Sequence, residues 1–196
     1  AELLRLYPDA LVLHIGCGLD SRCQRIQAPY TQWIDADLPD VIDVRKNYFA
    51  ETSAYSMIAL DASKPEEVSR LPDAERIIVI MEGISMYLTN DALIQFFAAL
   101  QAKYKAVHVL LDIYTVFGAK ASKYKNPINE VGVTQVYGID DIHALVSTTG
   151  LCVVQECNMT PPHLVNELSG FDKVFFQRMF TGKTYQKIYR MYELKT

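Results

Sequence analysis

The chain has 196 residues, half of them hydrophobic, with 19 Lys and Arg against 23 Asp and Glu and a formal net charge of −4. That length suits one well-buried domain and is short for two. Scattered basic residues outnumbered by acids give no electrostatic footprint for nucleic acid. No apolar run approaches the ~20 residues needed to span a bilayer, so neither nucleic acid nor membrane is an expected partner.

The start of the chain, Ala1 to Tyr7, has neither a basic leader nor a long apolar core, and a cytoplasmic protein is expected. Leu11-Val12-Leu13-His14-Ile15 reads as a strand covered on both faces, the first of seven, over residues 10–16. It breaks into Gly16-Cys17-Gly18, where two residues without Cβ let the backbone approach a ligand closely. Asp20 or Ser21 is expected to cap the helix that follows and leave its first N–H groups available. Alone the turn is a weak signal, because G-x-G also occurs as a plain connection between strand and helix.

Further strands are predicted over 31–36, 55–60, 76–81, 106–113, 151–157 and 184–193, with helical segments between them. Ser63-Lys64-Pro65-Glu66 has the form of a capping box with proline in the first turn. Thr89-Asn90-Asp91 precedes Leu93, Phe96, Phe97 and Leu100 at helical spacing. Asp140 or Asp141 starts a further helix, with Gly150 as its stop. Asn158 to Gly182, with the amphipathic run Phe171 to Phe176, returns the chain so that the last strand runs antiparallel. The alternation predicts an α/β fold: a single doubly wound, mostly parallel seven-stranded sheet of Rossmann-like form. No linker or repeat interrupts residues 1–196, and one domain is expected.

In such a sheet ligands sit beyond the C-terminal ends of the strands, and those ends form a series here. The second strand ends in Asp37-Leu38-Pro39, about twenty residues after the glycine turn, where an acid accepts hydrogen bonds from both ribose hydroxyls. Asp35 is read instead as a solvated surface acid. The third strand closes on Asp61-Ala62, where a carboxylate accepts from an adenine amino group and a backbone N–H completes the contact; a loop or helix-start acid is the equal alternative. The fourth runs into Glu82-Gly83 at the centre of the sheet. A dinucleotide fold wants a third glycine where this chain has Ser21, and the turn carries no Lys or Arg for a diphosphate. S-adenosylmethionine, with a sulfonium cation and no phosphate, suits the acidic rim better.

The cysteines Cys17, Cys23, Cys152 and Cys157 lack C-x-x-C spacing and read as reduced structural thiols. His14, His108, His143 and His163 show no ligand spacing, so no metal is expected; His14 and His108 read as satisfied core histidines.

Val12 to Arg22, Asp37-Leu38-Pro39, Glu82 to Leu88 and Tyr137-Gly138-Ile139-Asp140 together resemble the leucine carboxyl methyltransferase family, in its bacterial branch of tetracenomycin-type O-methyltransferases. The likeness runs through nearly the whole chain, including the aromatic-rich end from Tyr185 to Leu194. It implies a class I S-adenosylmethionine-dependent methyltransferase domain that leaves S-adenosylhomocysteine as product. It places Gly16, with Cys17 and Gly18, at the cofactor, Asp37 and Leu38 on the ribose, Asp61 and Ala62 at the adenine, and Glu82 with Gly83 near the methionine portion. It further implies methyl transfer to a hydroxyl or carboxylate of a small, polyketide-like acceptor. A protein C-terminal carboxyl methyltransferase and a non-catalytic cofactor-binding domain are the alternatives.

A carboxylate acceptor needs no base, whereas a hydroxyl does; Tyr87, Asp112 and Tyr114 are the candidates, none of them assigned. The family carries a helical region before its first strand that supplies basic side chains and part of a lid. The chain is expected to lack that region, either because the numbering starts inside a longer protein or because the form is truncated, with Arg5 and Arg22 near enough to substitute. The segment from Tyr114 to Tyr137, with Lys120, Lys123, Tyr124 and Lys125, is expected to overhang the acceptor side, with a solvated helix face as its plain reading.

Overall fold

A computed structural model describes residues 1–122, 135–180 and 183–196. Seven strands, β1 (Leu11–Ile15), β2 (Gln32–Asp37), β3 (Tyr55–Ala59), β4 (Arg76–Met81), β5 (Ala106–Tyr114), β6 (Cys152–Cys157) and β7 (Tyr189–Lys195), form one sheet. Their order is β3-β2-β1-β4-β5-β7-β6. β1 to β5 pair in parallel, and β7 runs antiparallel between β5 and β6.

The apolar runs of β1 and β4 are buried on both faces because helices lie on both sides of the sheet. Leu13, Ile15, Ile34, Ala36, Val79 and Met81 point to one side, where they join Leu93, Phe96, Phe97 and Leu100 in the larger core cluster. These last four form the inner stripe of α4 (Asn90–Lys103). Val12, Trp33, Ile78 and Ile80 point to the other side, beneath α1 (Glu2–Leu6), α2 (Arg22–Arg25) and α3 (Pro39–Arg45). The remaining helices are α5 (Val116–Ala121), α6 (Ile142–Val146), α7 (Pro162–Glu167), α8 (Gly170–Met179) and α9 (Lys183–Gln186).

Thr89 caps α4 by accepting from the Ala92 N–H at 3.1 Å, and Asp141 caps α6 in the same way through Ala144. α6 ends at Val146, four residues before Gly150, because the hydroxyls of Ser147, Thr148 and Thr149 turn back onto the carbonyls of Ala144, Leu145 and Val146. The capping box at Ser63 does not form. Its hydroxyl donates to Asp61 Oδ1 at 2.7 Å, Lys64 takes the cap position with no side-chain bond, and residues Pro65–Arg70 wind as a 3₁₀ helix. β7 begins at Tyr189 rather than near residue 184, because α9 precedes it and Ile188 N–H closes that turn onto the Tyr185 carbonyl at 2.8 Å. The aromatic face of α8 is exposed, with Phe171 at 79%. Of the four cysteines, all free, Cys17 and Cys23 are buried, Cys157 is half-buried and Cys152 is exposed on the sheet edge.

Asp35 overturns its sequence reading. It is fully buried, on the same side of the sheet as Trp33, and it pairs with the equally buried Arg45 of α3. Residues two apart in a strand share a face, and α3 covers this one. The Asp35 carboxylate accepts from Trp33 Nε1 at 2.7 Å, His14 Nδ1 at 3.2 Å, the Tyr55 hydroxyl at 2.8 Å and Arg45. His14 is therefore satisfied, as expected. His108 is satisfied only in part: Nε2 meets Arg76 at 3.2 Å while the buried Nδ1 has no partner.

Candidate functional site

The C-terminal ends of β1 to β4 open onto a cleft of about 730 Å³. Gly16, Asp37, Leu38, Asp61, Ala62 and Gly83 line it, so the structure brings together six of the nine residues singled out as cofactor contacts. Gly16 sits at its base with φ +68°, in the left-handed region. A Cβ there would come within 3.1 Å of the Ile84 side chain, so the close packing of the turn requires glycine. Gly16 N–H donates to the Ala36 carbonyl at 2.8 Å, which fastens the start of the turn to β2.

Asp37 closes the other end of the turn. Its Oδ2 accepts from Gly18 N–H and its Oδ1 from Leu38 N–H, both at 2.8 Å. Each carboxylate oxygen has about two acceptor directions, so one on each oxygen is left for a ligand in the cleft. Asp61 is held as a loop acid and also borders the cleft. Ser63 N–H and hydroxyl donate to its Oδ1, Lys64 lies 3.3 Å from Oδ2, and the carboxylate still lines the cleft. Partial burial raises its pKa, but the Ser63 donors and Lys64 outweigh this and hold it below the ordinary carboxylate value.

Cys17, Gly18 and Glu82 are not on the cleft wall. The Cys17 side chain is buried in the core, where loss of solvent and the nearby Asp35 charge push its thiol up to about 12, so only its backbone is available. Glu82 is half-exposed and ion-paired to Arg22, whose guanidinium also lies 3.2 Å from Asp20 Oδ2. Asp20 Oδ1 accepts from Arg22 N–H at 2.6 Å, and α2 is a single turn of four residues. Arg22 is thus committed to the rim acids.

Behind Gly83 lies Asp112, at the end of β5 and almost fully buried. Its Oδ2 accepts from Gly83 N–H at 2.7 Å and from the Tyr189 hydroxyl, while the buried Oδ1 has no partner. Burial pushes its pKa up, against the pull of those two donors. Asp112 therefore braces the Gly83 turn and does not face the cleft. Tyr87 lines the cleft with Tyr137, and partial burial raises its phenol pKa, so it is protonated near neutrality. Tyr114 packs its ring against Tyr189 at 5.7 Å. Lys120 is exposed on α5, and Lys123, Tyr124 and Lys125 lie outside the described residues.

Sequence reasoning missed Arg45. From α3 it reaches under the glycine turn and donates to the carbonyls of Gly18 and Asp20, each at 2.7 Å. The one available signal was the acid in the middle of an apolar strand, which needs a cation once buried.

Comparison with known proteins bears on the family and the fold. Residues 10–101 match the family model for leucine carboxyl methyltransferase. The chain is 31% identical over 147 residues to the tetracenomycin polyketide synthesis O-methyltransferase TcmP of Streptomyces glaucescens, covering 74% of this chain and 54% of that protein. Residues 10–101 of the chain thus carry the sequence pattern of the leucine carboxyl methyltransferase family. The chain is also 31% identical over 93 residues to the S-adenosyl-L-methionine-dependent methyltransferase dpfgK of Gibberella zeae, covering 43% of this chain and 31% of that one. It thus spans about half, or less, of the length of these curated relatives. Among solved structures, an S-adenosylmethionine-dependent methyltransferase from Mesorhizobium loti superposes with a TM-score of 0.64 at 9% identity, covering 100% of this chain and 96% of that one. This last likeness establishes the class I methyltransferase fold. Among the described residues no helix is long and apolar enough to cross a membrane.

Proposed function

We propose that this chain is a cytoplasmic S-adenosylmethionine-dependent O-methyltransferase acting on a small, polyketide-like acceptor. The observation that carries the reading is the pairing of Asp37 and Asp61 on one cleft whose described lining contains no Lys or Arg. Two carboxylates at adjacent strand ends fit a ribose and an adenine amino group, and a lining without cations fits a donor without phosphate. The name of dpfgK supports the donor, and that of TcmP supports oxygen transfer in polyketide synthesis.

The donor, when bound, supplies a methyl group on a sulfonium sulfur, open to in-line displacement by an oxygen. The chain's residues then have three tasks. Asp37 fixes the ribose through its two remaining acceptor directions while its other two hold the turn. Glu82, close to the turn and paired with Arg22, offers negative charge on the side where the cationic portion would lie. Tyr87 and Tyr137 wall the cleft on the acceptor side, where they orient a ring and exclude water.

None of the three candidate bases is placed to take a proton: Asp112 is sealed behind Gly83, Tyr87 is protonated, and Tyr114 packs on Tyr189. This favours an acceptor oxygen that arrives already ionised, a carboxylate or an acidic phenol. Calorimetric titration tests the donor: S-adenosylhomocysteine is expected to bind, and NAD is not. A screen of small carboxylic acids and polyketide phenols with labelled donor tests the acceptor. Binding of NAD in preference to S-adenosylhomocysteine sinks the reading.

A further inference from the structure

We propose that Arg45, held by Asp35, is a positioning residue that sets the shape of the cofactor turn from inside the core. The inference rests on the donor-binding role proposed for that turn. Arg45 has no exposed surface, yet four of its five N–H donors are placed. Nη1 donates to the Gly18 carbonyl and Nη2 to the Asp20 carbonyl, each at 2.7 Å; Nη2 also meets Asp35, and Nε reaches the Tyr55 hydroxyl at 3.2 Å. The guanidinium also lies 4.0 Å from the centre of the Phe49 ring.

A buried guanidinium carries a large desolvation cost unless it is neutralised, and Asp35 neutralises it. All four acceptor directions of Asp35 are in turn filled, by His14, Trp33, Tyr55 and Arg45. A pair needed only for packing would be satisfied by its own partners. Here the free side of the fork is spent on two carbonyls of the same turn. Clamping them fixes the Gly18–Leu19 and Asp20–Ser21 peptide planes, and with the first of these it restrains the adjoining Gly18 backbone, whose N–H points toward Asp37 Oδ2. The influence reaches the rim as well, because Asp20 carries Arg22, which in turn pairs with Glu82. A lysine at position 45 would keep the charge but not the planar two-carbonyl fork.

Three variants test this against the wild type. Arg45→Lys is expected to raise the dissociation constant for S-adenosylhomocysteine about tenfold, the loss of one charge-assisted hydrogen bond. The KM for the donor should rise in step, while kcat at saturating donor stays within about twofold. Asp35→Asn, which keeps the shape but removes the countercharge, should shift both in the same direction. Leu100→Ala opens a cavity on the opposite face of the sheet, where Leu100 is fully buried, and should lower Tm without moving the dissociation constant. The inference is overturned if Arg45→Lys binds within twofold of wild type, or if Leu100→Ala weakens binding as much. If wild type itself binds no S-adenosylhomocysteine, the reading of the turn as a donor site fails instead.

Discussion

Replacing Asp37 by Ala is the most direct test of the site. The carboxylate spends one acceptor direction per oxygen on Gly18 N–H and Leu38 N–H, both at 2.8 Å, and leaves one per oxygen for the proposed ribose contacts. A hydrogen bond to a charged group contributes about 1.5–3 kcal/mol, so losing both ribose contacts at the low end removes about 3 kcal/mol. That is roughly a hundredfold in dissociation constant. Asp37→Asn keeps one carbonyl oxygen and gives up the charge, and the same arithmetic predicts about tenfold. Calorimetric titration with S-adenosylhomocysteine reads both, and circular dichroism shows whether the fold survives. An affinity for Asp37→Ala within about threefold of wild type, in a folded protein, would mean that the ribose does not sit on Asp37.

Three further outcomes follow from the buried polar groups. Asp35 is buried, which raises its pKa, but hydrogen bonds from His14, Trp33 and Tyr55 and the Arg45 charge more than compensate and hold it below the ordinary value. The stability from this pair is therefore complete above about pH 4, the ordinary carboxylate value, and is lost as pH falls through the lower folded one. Urea midpoints between pH 2 and 6 should show this acid limb, and a limb of the same depth in Asp35→Asn would assign it elsewhere. Tyr189→Phe removes one of the two donors to Asp112 Oδ2, costing about 1–3 kcal/mol. Because burial already raises the Asp112 pKa and the lost donor raises it further, the loss should be greater at pH 8 than at pH 4. A cost independent of pH over that range counts against the bond. Iodoacetamide at pH 8 should modify exposed Cys152 in the native protein and spare Cys17, whose thiol is buried and pushed up to about 12. Mass spectrometry of native and unfolded samples decides it.

How far the sequence foretold the structure depended on whether a feature was local. β1 and β4 are short apolar runs ending at turn residues, and burial on both faces leaves few other arrangements for them. Thr89 announced α4 because a cap and an apolar stripe at helical spacing speak for the same element. Ser63 misled because its hydroxyl donates to Asp61 two residues earlier and does not accept from the N–H groups of the helix start, as a capping box requires. The end of the chain misled for a related reason. The aromatic residues between Tyr185 and Tyr192 suit a strand, yet α9 delays the sheet to Tyr189, where pairing with Tyr114 on β5 sets the register. At the site, the strand-end acids were legible because topology sends every parallel strand end to one rim. The partner of each acid was not, since Arg22 with Glu82 and Tyr189 with Asp112 are contacts across 60 and 77 residues.

Asp35 and Arg45 show what a stricter use of the same rules would have found. Asp35 stands two residues before Asp37 and two after Trp33, so the pleat places all three on one face. Trp33 is fully buried, and an acid beside it on that face cannot be solvated unless the covering helix stops short. α1 and α2 cover part of this face, and a right-handed βαβ connection lays the helix of the crossover after β2 there too. That crossover holds α3, and of its two basic residues only Arg45 falls within the helix. An aspartate in the middle of an apolar parallel strand thus predicts a buried cation on a helix that covers its face, here Arg45 of the next crossover. The pair it predicts lies directly beneath the turn at the end of the neighbouring strand. In this chain the helix that completes the core is also the one that carries the clamp on the turn.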